Sequence, residues 1–217
     1  MRRHTMFIVA LITVTGLLAA CTPTRREAQV IRYFDFGPEP ARTPPKIPAV
    51  LQVPGVSAPE WLESTSIPYR LAYRDPQAAY AYVTGRWVAP PNSLLTGRLK
   101  NMLGGGAGVV SPADAIRAGC VVRVALEDFS QTYDTAQSSH VTIRARASLV
   151  ANDGKALIAQ QEFGGDRPTA TADMSGAVAA LGAGGDAVTG DIVAWLAHVL
   201  DTGTPQGQAA IKQCRSS

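Results

Sequence analysis

Three cysteines carry most of the covalent chemistry available to this chain: Cys21, Cys120 and Cys214. A zinc centre needs three or four Cys or His ligands at set spacings. These cysteines form no CxxC pair, and beyond residue 20 only His140 and His198 join them, with no third ligand near either. No metal site is expected. Glu127 and Asp128 are the one close acidic pair on a predicted strand. Neighbouring residues on a strand point to opposite faces, so the two carboxylates are not expected to act on one bond. One should face solvent and the other meet Arg123 or a loop. The run Gly104-Gly105-Gly106-Ala107-Gly108 lacks the Lys-Ser/Thr of a phosphate-binding loop and follows a predicted helix instead of opening one, so it reads as a flexible loop. Ala183-Gly184-Gly185-Asp186 is not G-x-G-x-x-G, and no G-x-S-x-G elbow is present. The expectation is a protein with no catalytic residue and no cofactor, that is, not an enzyme.

Cys21 has a more specific setting. Arg2 and Arg3 precede an apolar run from Phe7 to Ala20. At about 1.5 Å per residue the run spans roughly 21 Å, short of the roughly 30 Å hydrocarbon core. A basic start, a short apolar stretch and small residues at its end describe an export signal over residues 1–20. Leu18-Ala19-Ala20-Cys21 resembles the bacterial lipobox, in which the cysteine is acylated and becomes the first mature residue. That resemblance implies several acyl chains on Cys21, enough for stable anchoring at about 0.8 kcal/mol per buried CH₂. Thr22 stands where lipoproteins retained in the inner membrane carry Asp, which favours the periplasmic leaflet of the outer membrane.

Removing residues 1–20 leaves 197 of the 217 residues and takes away Arg2 and Arg3, so the formal charge falls from +3 to +1. A nucleic-acid partner is therefore not expected. With 46% hydrophobic and 17% charged residues the chain is neither collagen-like, coiled coil nor highly charged and disordered. Cys120 and Cys214 would lie in a compartment that permits disulfides. A bridge between them would close a long loop; two unpaired buried thiols are the alternative.

The elements that would position these residues can be read from periodicity. Residues 21–30 form a polar tether. Strands are expected at Ile31–Phe36, Ala49–Val53, Ile67–Tyr73 and Ala79–Thr84, separated by Pro- and Gly-rich breaks. Pro90-Pro91 open a helix to about Leu103 through Leu95 and Leu99. Val141, Ile143, Ala145, Ala147 and Leu149 alternate with polar residues, the pattern of a strand with one wet face. Cys120–Tyr133 before it and Ala156–Phe163 after it complete an antiparallel meander, with a turn at Asn152-Asp153-Gly154. A second helix should run from Asp173 to about Leu200 on a stripe of Leu181, Val188, Ile192, Trp195 and Val199, broken or kinked at Gly182, Gly184 and Gly185. Residues 201–217 read as a loop-like tail. The whole is one α/β domain over residues 31–200, a mixed sheet with an antiparallel meander packed by two main helices.

Several segments together resemble the ABC-type transport auxiliary lipoprotein component family: Ala58-Pro59-Glu60-Trp61-Leu62, Ile67 to Tyr73, Gly85-Arg86-Trp87-Val88-Ala89-Pro90-Pro91 with Leu94-Leu95, Leu126 to Tyr133, Ser139, and Gly176-Ala177-Val178. The family usually has Ser where this chain has Gly85. The resemblance implies a Rossmann-like α/β sandwich and a tethered accessory of an ABC machine that moves lipids between membranes. It also implies partners: an ATPase and permease in the inner membrane and a mammalian-cell-entry-domain protein bridging the periplasm. Trp61, Arg86 and Trp87 are the landmarks available for partner contact, although packing roles suit them as well, with Arg86 stacked on Trp87 or paired with Glu127. A homo-oligomer is compatible with this role, and a non-transport envelope binding or assembly lipoprotein is the alternative function.

Overall fold

The computed structural model describes residues 29–114, 116, 118–154 and 156–215. The expected signal segment, Cys21 and most of the tether lie outside them. Nine strands form one mixed sheet: β1 (Arg32–Phe34), β2 (Val50–Gln52), β3 (Val56–Ser57), β4 (Ser66–Leu71), β5 (Asp75–Trp87), β6 (Gly108–Val110), β7 (Cys120–Tyr133), β8 (Ser139–Ala151) and β9 (Leu157–Pro168). Among the described residues three α-helices accompany it: α1 (Pro91–Gly104), α2 (Met174–Val199) and α3 (Pro205–Arg215).

β7 organises the sheet. Along one edge it pairs antiparallel with β8, which pairs with β9, giving the expected meander. Along its other edge β7 takes parallel partners in turn: Leu51 of β2 opposite Cys120, Val56 of β3 opposite Val124, and Tyr69 of β4 opposite Gln131. β5 then pairs antiparallel with β4, and β1 parallel with the end of β5. The inward residues of β8 are all buried while Arg144 is exposed, so one face of the meander meets the helices and the other meets solvent. Leu95, Leu99 and Leu103 of α1 and Leu181, Val188, Ile192 and Leu196 of α2 complete that core.

Several expectations are corrected. α2 runs unbroken through its glycines. A Cβ at Gly184 would lie 2.2 Å from Ile143 Cδ1, and one at Gly185 would lie 3.0 Å from the Phe36 ring. These positions let the helix settle directly on the sheet, and the packing outweighs their poor helix propensity. The length and apolar composition of α2 would also suit a bilayer span, yet half of that stretch is buried within the domain, as in a core helix. The tail is not loop-like but contains α3, which buries Ala210, Ile211 and Cys214 on one face. The glycine run after α1 is packed, not free: Gly106 O accepts from Ile47 N at 2.8 Å, and β6 follows. β9 continues past Phe163 through Gly164 and Gly165, whose φ values of 105° and 145° suit glycine.

The most consequential correction concerns β7. Its register skips between Leu126 and Asp128, leaving Glu127 as an extra residue. Leu126 and Phe129 both face the core, so Glu127 and Asp128 share the solvent face instead of pointing to opposite ones.

Candidate functional site

Trp87 does not lie at the surface. It is fully buried, with its ring centroid 5.7 Å from those of Phe36 and Phe129, which sit 5.6 Å from each other. The three rings come from the end of β5, the segment after β1 and the inward side of β7 beyond the bulge, and they form an aromatic pillar under α2. Arg86, one residue earlier, pairs with neither Glu127 nor the Trp87 ring. Its Nη1 donates to the carbonyls of Tyr82 and of Gly85, which pins the irregular stretch of β5. Glu127 is taken by Arg146, at 2.6 Å, and Asp128 accepts from the Ser130 hydroxyl at 2.7 Å. Only Trp61 keeps a surface position. It is 47% exposed on a short 3-10 turn, Glu60–Leu62, that is held down by the buried Leu62. Among the described residues no hydrogen bond or ring contact joins Trp61 to Arg86.

A tyrosine network that periodicity did not reveal lies beyond the N-terminus of α2. Tyr69 stacks on Tyr80 at 5.4 Å and packs against Tyr82 and Tyr133. Tyr82 Oη donates to Gln131 Oε1 at 2.6 Å and so accepts from Tyr133 Oη, also at 2.6 Å. Gln131 Nε2 donates onward to Ser139 Oγ and to the Asp173 carbonyl. Burial, followed by the Tyr133 hydrogen bond, pushes the Tyr82 hydroxyl far above the usual phenol range. The Tyr82 hydroxyl stays neutral, and its bonds to Gln131 and Tyr133 hold the strand ends together.

A second polar cluster ties the Pro-rich segment to both long helices. Arg98 of α1, nearly buried, donates to the Gly37 carbonyl and lies 3.3 Å from Asp186 of α2 and 3.5 Å from Glu39. Desolvation pushes the Asp186 carboxyl above the usual range, against the pull of Arg98 and Arg42. His140 pairs with Asp134 at 3.0 Å on the meander's rim. His198 lies in a groove of about 470 Å³ between β9 and α3, lined also by Ile158, Val199, Ala209 and Ala210. Among the described residues no group of three or more His, Cys, Asp or Glu is placed to hold a metal ion. Cys120 and Cys214 are joined by a disulfide with Cα atoms 4.9 Å apart, closing a separation of 94 residues and stapling α3 to the start of β7.

The family model described as ABC-type transport auxiliary lipoprotein component matches residues 34–193. The chain belongs to this family. The match begins in β1 and ends in α2, so it covers the sheet, the pillar and the tyrosine network, while α3, with Cys214 of the disulfide, lies outside it. No curated protein matches the chain. Among solved structures, a protein from Xanthomonas campestris superposes with a TM-score of 0.64 at 21% identity, covering 76% of this chain and 95% of that one. A second, described as an uncharacterized protein, gives 0.56 at 16% identity, covering 77% and 99%. At these identities the likeness shows the fold alone.

Proposed function

We propose that this protein is a non-enzymatic, lipid-anchored auxiliary subunit of an ABC-type system that moves lipids between membranes. It is held by acylated Cys21 in the periplasmic leaflet of the outer membrane, and there it docks a complex of ATPase, permease and mammalian-cell-entry-domain protein. The observation that carries this reading is the conjunction of the family match over residues 34–193 with Leu18-Ala19-Ala20-Cys21 directly after a short apolar run. The polar clusters support it. Their carboxylates and hydroxyls are spent on Arg146, Ser130, Arg98 and one another, arrangements that brace strands and helices. ATP hydrolysis falls to a partner, in keeping with the absence of a phosphate-loop motif.

Crosslinking in intact cells, followed by identification of the captured proteins, tests the role. The reading expects the ATPase, permease or mammalian-cell-entry-domain protein. Capture of cell-wall or outer-membrane assembly components alone would replace it with a non-transport envelope role.

A further inference from the structure

Exposed apolar side chains are unevenly placed in the domain. Of the ten large hydrophobic residues exposed within the described part of residues 31–215, six belong to β1, β5 and the turns beside them: Ile31, Tyr33, Tyr73, Tyr80, Val83 and Val88. Ile31, Tyr33, Val83 and Val88 gather where β1 meets β5, whereas Tyr80 lies further along β5 and Tyr73 in the turn at its far end. Tyr33 pairs with Arg86 in the β1–β5 register, Val88 N donates to the Phe34 carbonyl, and Val83 lies just before the residues of β5 that β1 covers. Because β1 pairs only with Gly85–Trp87, the outer edge of β5 from Asp75 to Thr84 carries no strand among the described residues.

The same stretches, 31–35 and 70–88, carry Arg32, Arg70, Arg74 and Arg86 against Asp35 and Asp75. Among the described residues none of these four guanidiniums lies within ion-pair distance of a carboxylate. Arg32 and Arg74 instead sit over the rings of Phe34 and Tyr73. Both acids are occupied by backbone N–H groups, of Gly37 and Gln77. Arg70 donates to the Gln77 carbonyl and Arg86 to those of Tyr82 and Gly85, which leaves Arg32 and Arg74. Tyr rings, aliphatic side chains and these two arginines together suit a membrane interface, where the rings sit at headgroup depth and the guanidiniums meet phosphates.

Chain length adds the remaining argument. Only nine residues, 22–30, separate Cys21 from Ile31. Fully extended they reach about 30 Å, so an anchor at Cys21 keeps β1 near the bilayer. The geometry points to the β1–β5 edge as a membrane-docking face for an anionic bilayer, which orients the domain above its lipid anchor. The inference rests on the anchoring proposed above.

The test uses the acylated mature protein, beginning at Cys21, in vesicles of phosphatidylethanolamine with phosphatidylglycerol. A photo-crosslinking amino acid is installed at Val83 or, separately, at Leu157, which is as open to solvent but lies on β9 at the far edge of the meander. Lipid adducts at Val83 should exceed those at Leu157 by about five-fold or more, and should fall when phosphatidylcholine replaces phosphatidylglycerol. Equal labelling of the two sites while the protein floats with the vesicles overturns the docking face and leaves the anchor standing. So does a Val83 adduct to a second protein copy in place of lipid. A protein that does not float refutes the anchor, and the docking face with it.

Discussion

The two ends of the sheet are built to opposite rules. At the meander end, β7, β8 and β9 pair over nearly their whole lengths, α2 covers their inner face, and the Cys120–Cys214 bond ties α3 to the first residue of β7. At the other end β1 covers three residues of a thirteen-residue strand, and tyrosines and valines stand open beside Arg32 and Arg74, which meet aromatic rings. Strand edges left open in this way are ordinarily blunted by charge or covered, because they invite association. The contrast teaches where stability ends and contact begins: the meander resists change, and the β1–β5 edge is available to meet something else.

Breaking the staple should have the largest effect. Replacing Cys120 and Cys214 together by serine removes a crosslink closing 94 residues. A loss of about 4 to 5 kcal/mol is expected in the chain-entropy treatment, measured by urea unfolding of the oxidised protein against the double variant. A loss under about 1 kcal/mol would mean that α3 holds without it. Trp87→Ala follows, at about 3 to 5 kcal/mol, because it empties the centre of the Phe36–Trp87–Phe129 pillar. The matched change at the open edge, Val83→Ser, should shift stability by no more than about 0.5 kcal/mol. Comparable costs at Trp87 and Val83 would erase the distinction between the two regions.

An intermediate effect sharpens the comparison at the boundary. Asp173 caps α2, accepting from Gly176 N at 2.8 Å, and that bond, with the Thr171 hydroxyl, holds its carboxyl below the usual range. A carboxyl lowered in the folded state contributes stability above its unfolded pKa and loses it as pH falls through the folded value. Asp173→Ala should therefore cost about 1 kcal/mol at neutral pH. The gap to the unaltered protein should close in acid, whereas Asp173→Asn should retain most of the cap with no such pH dependence. Denaturant midpoints across a pH series check both.

Much of this architecture was legible because its periodicity is local. The alternation from Val141 to Leu149 announced β8, and the Leu181–Val188–Ile192 stripe announced α2. What stayed hidden depended on distant neighbours. Gly184 reads as a helix breaker until Ile143 is seen filling the space a side chain would need. The β7 bulge turns Glu127 and Asp128 to one face without altering the composition of the strand. α3 is short, carries Gly207 and gains its place from a disulfide partner 94 residues away. The candidate contacts divided likewise. Trp61, Arg86 and Trp87 stand close in sequence order, but only Trp61 remains at the surface, because β5 turns Trp87 inward and backbone carbonyls occupy Arg86. The tyrosine network joins β4, β5 and β7, so no window of sequence could contain it.

Intact-mass and peptide mass spectrometry of the protein purified from its native envelope tests the central claim most directly. The account predicts a mature chain that begins at Cys21 and carries several fatty acyl chains on that residue. A chain that retains residues before Cys21, or one whose Cys21 thiol is free, would contradict it.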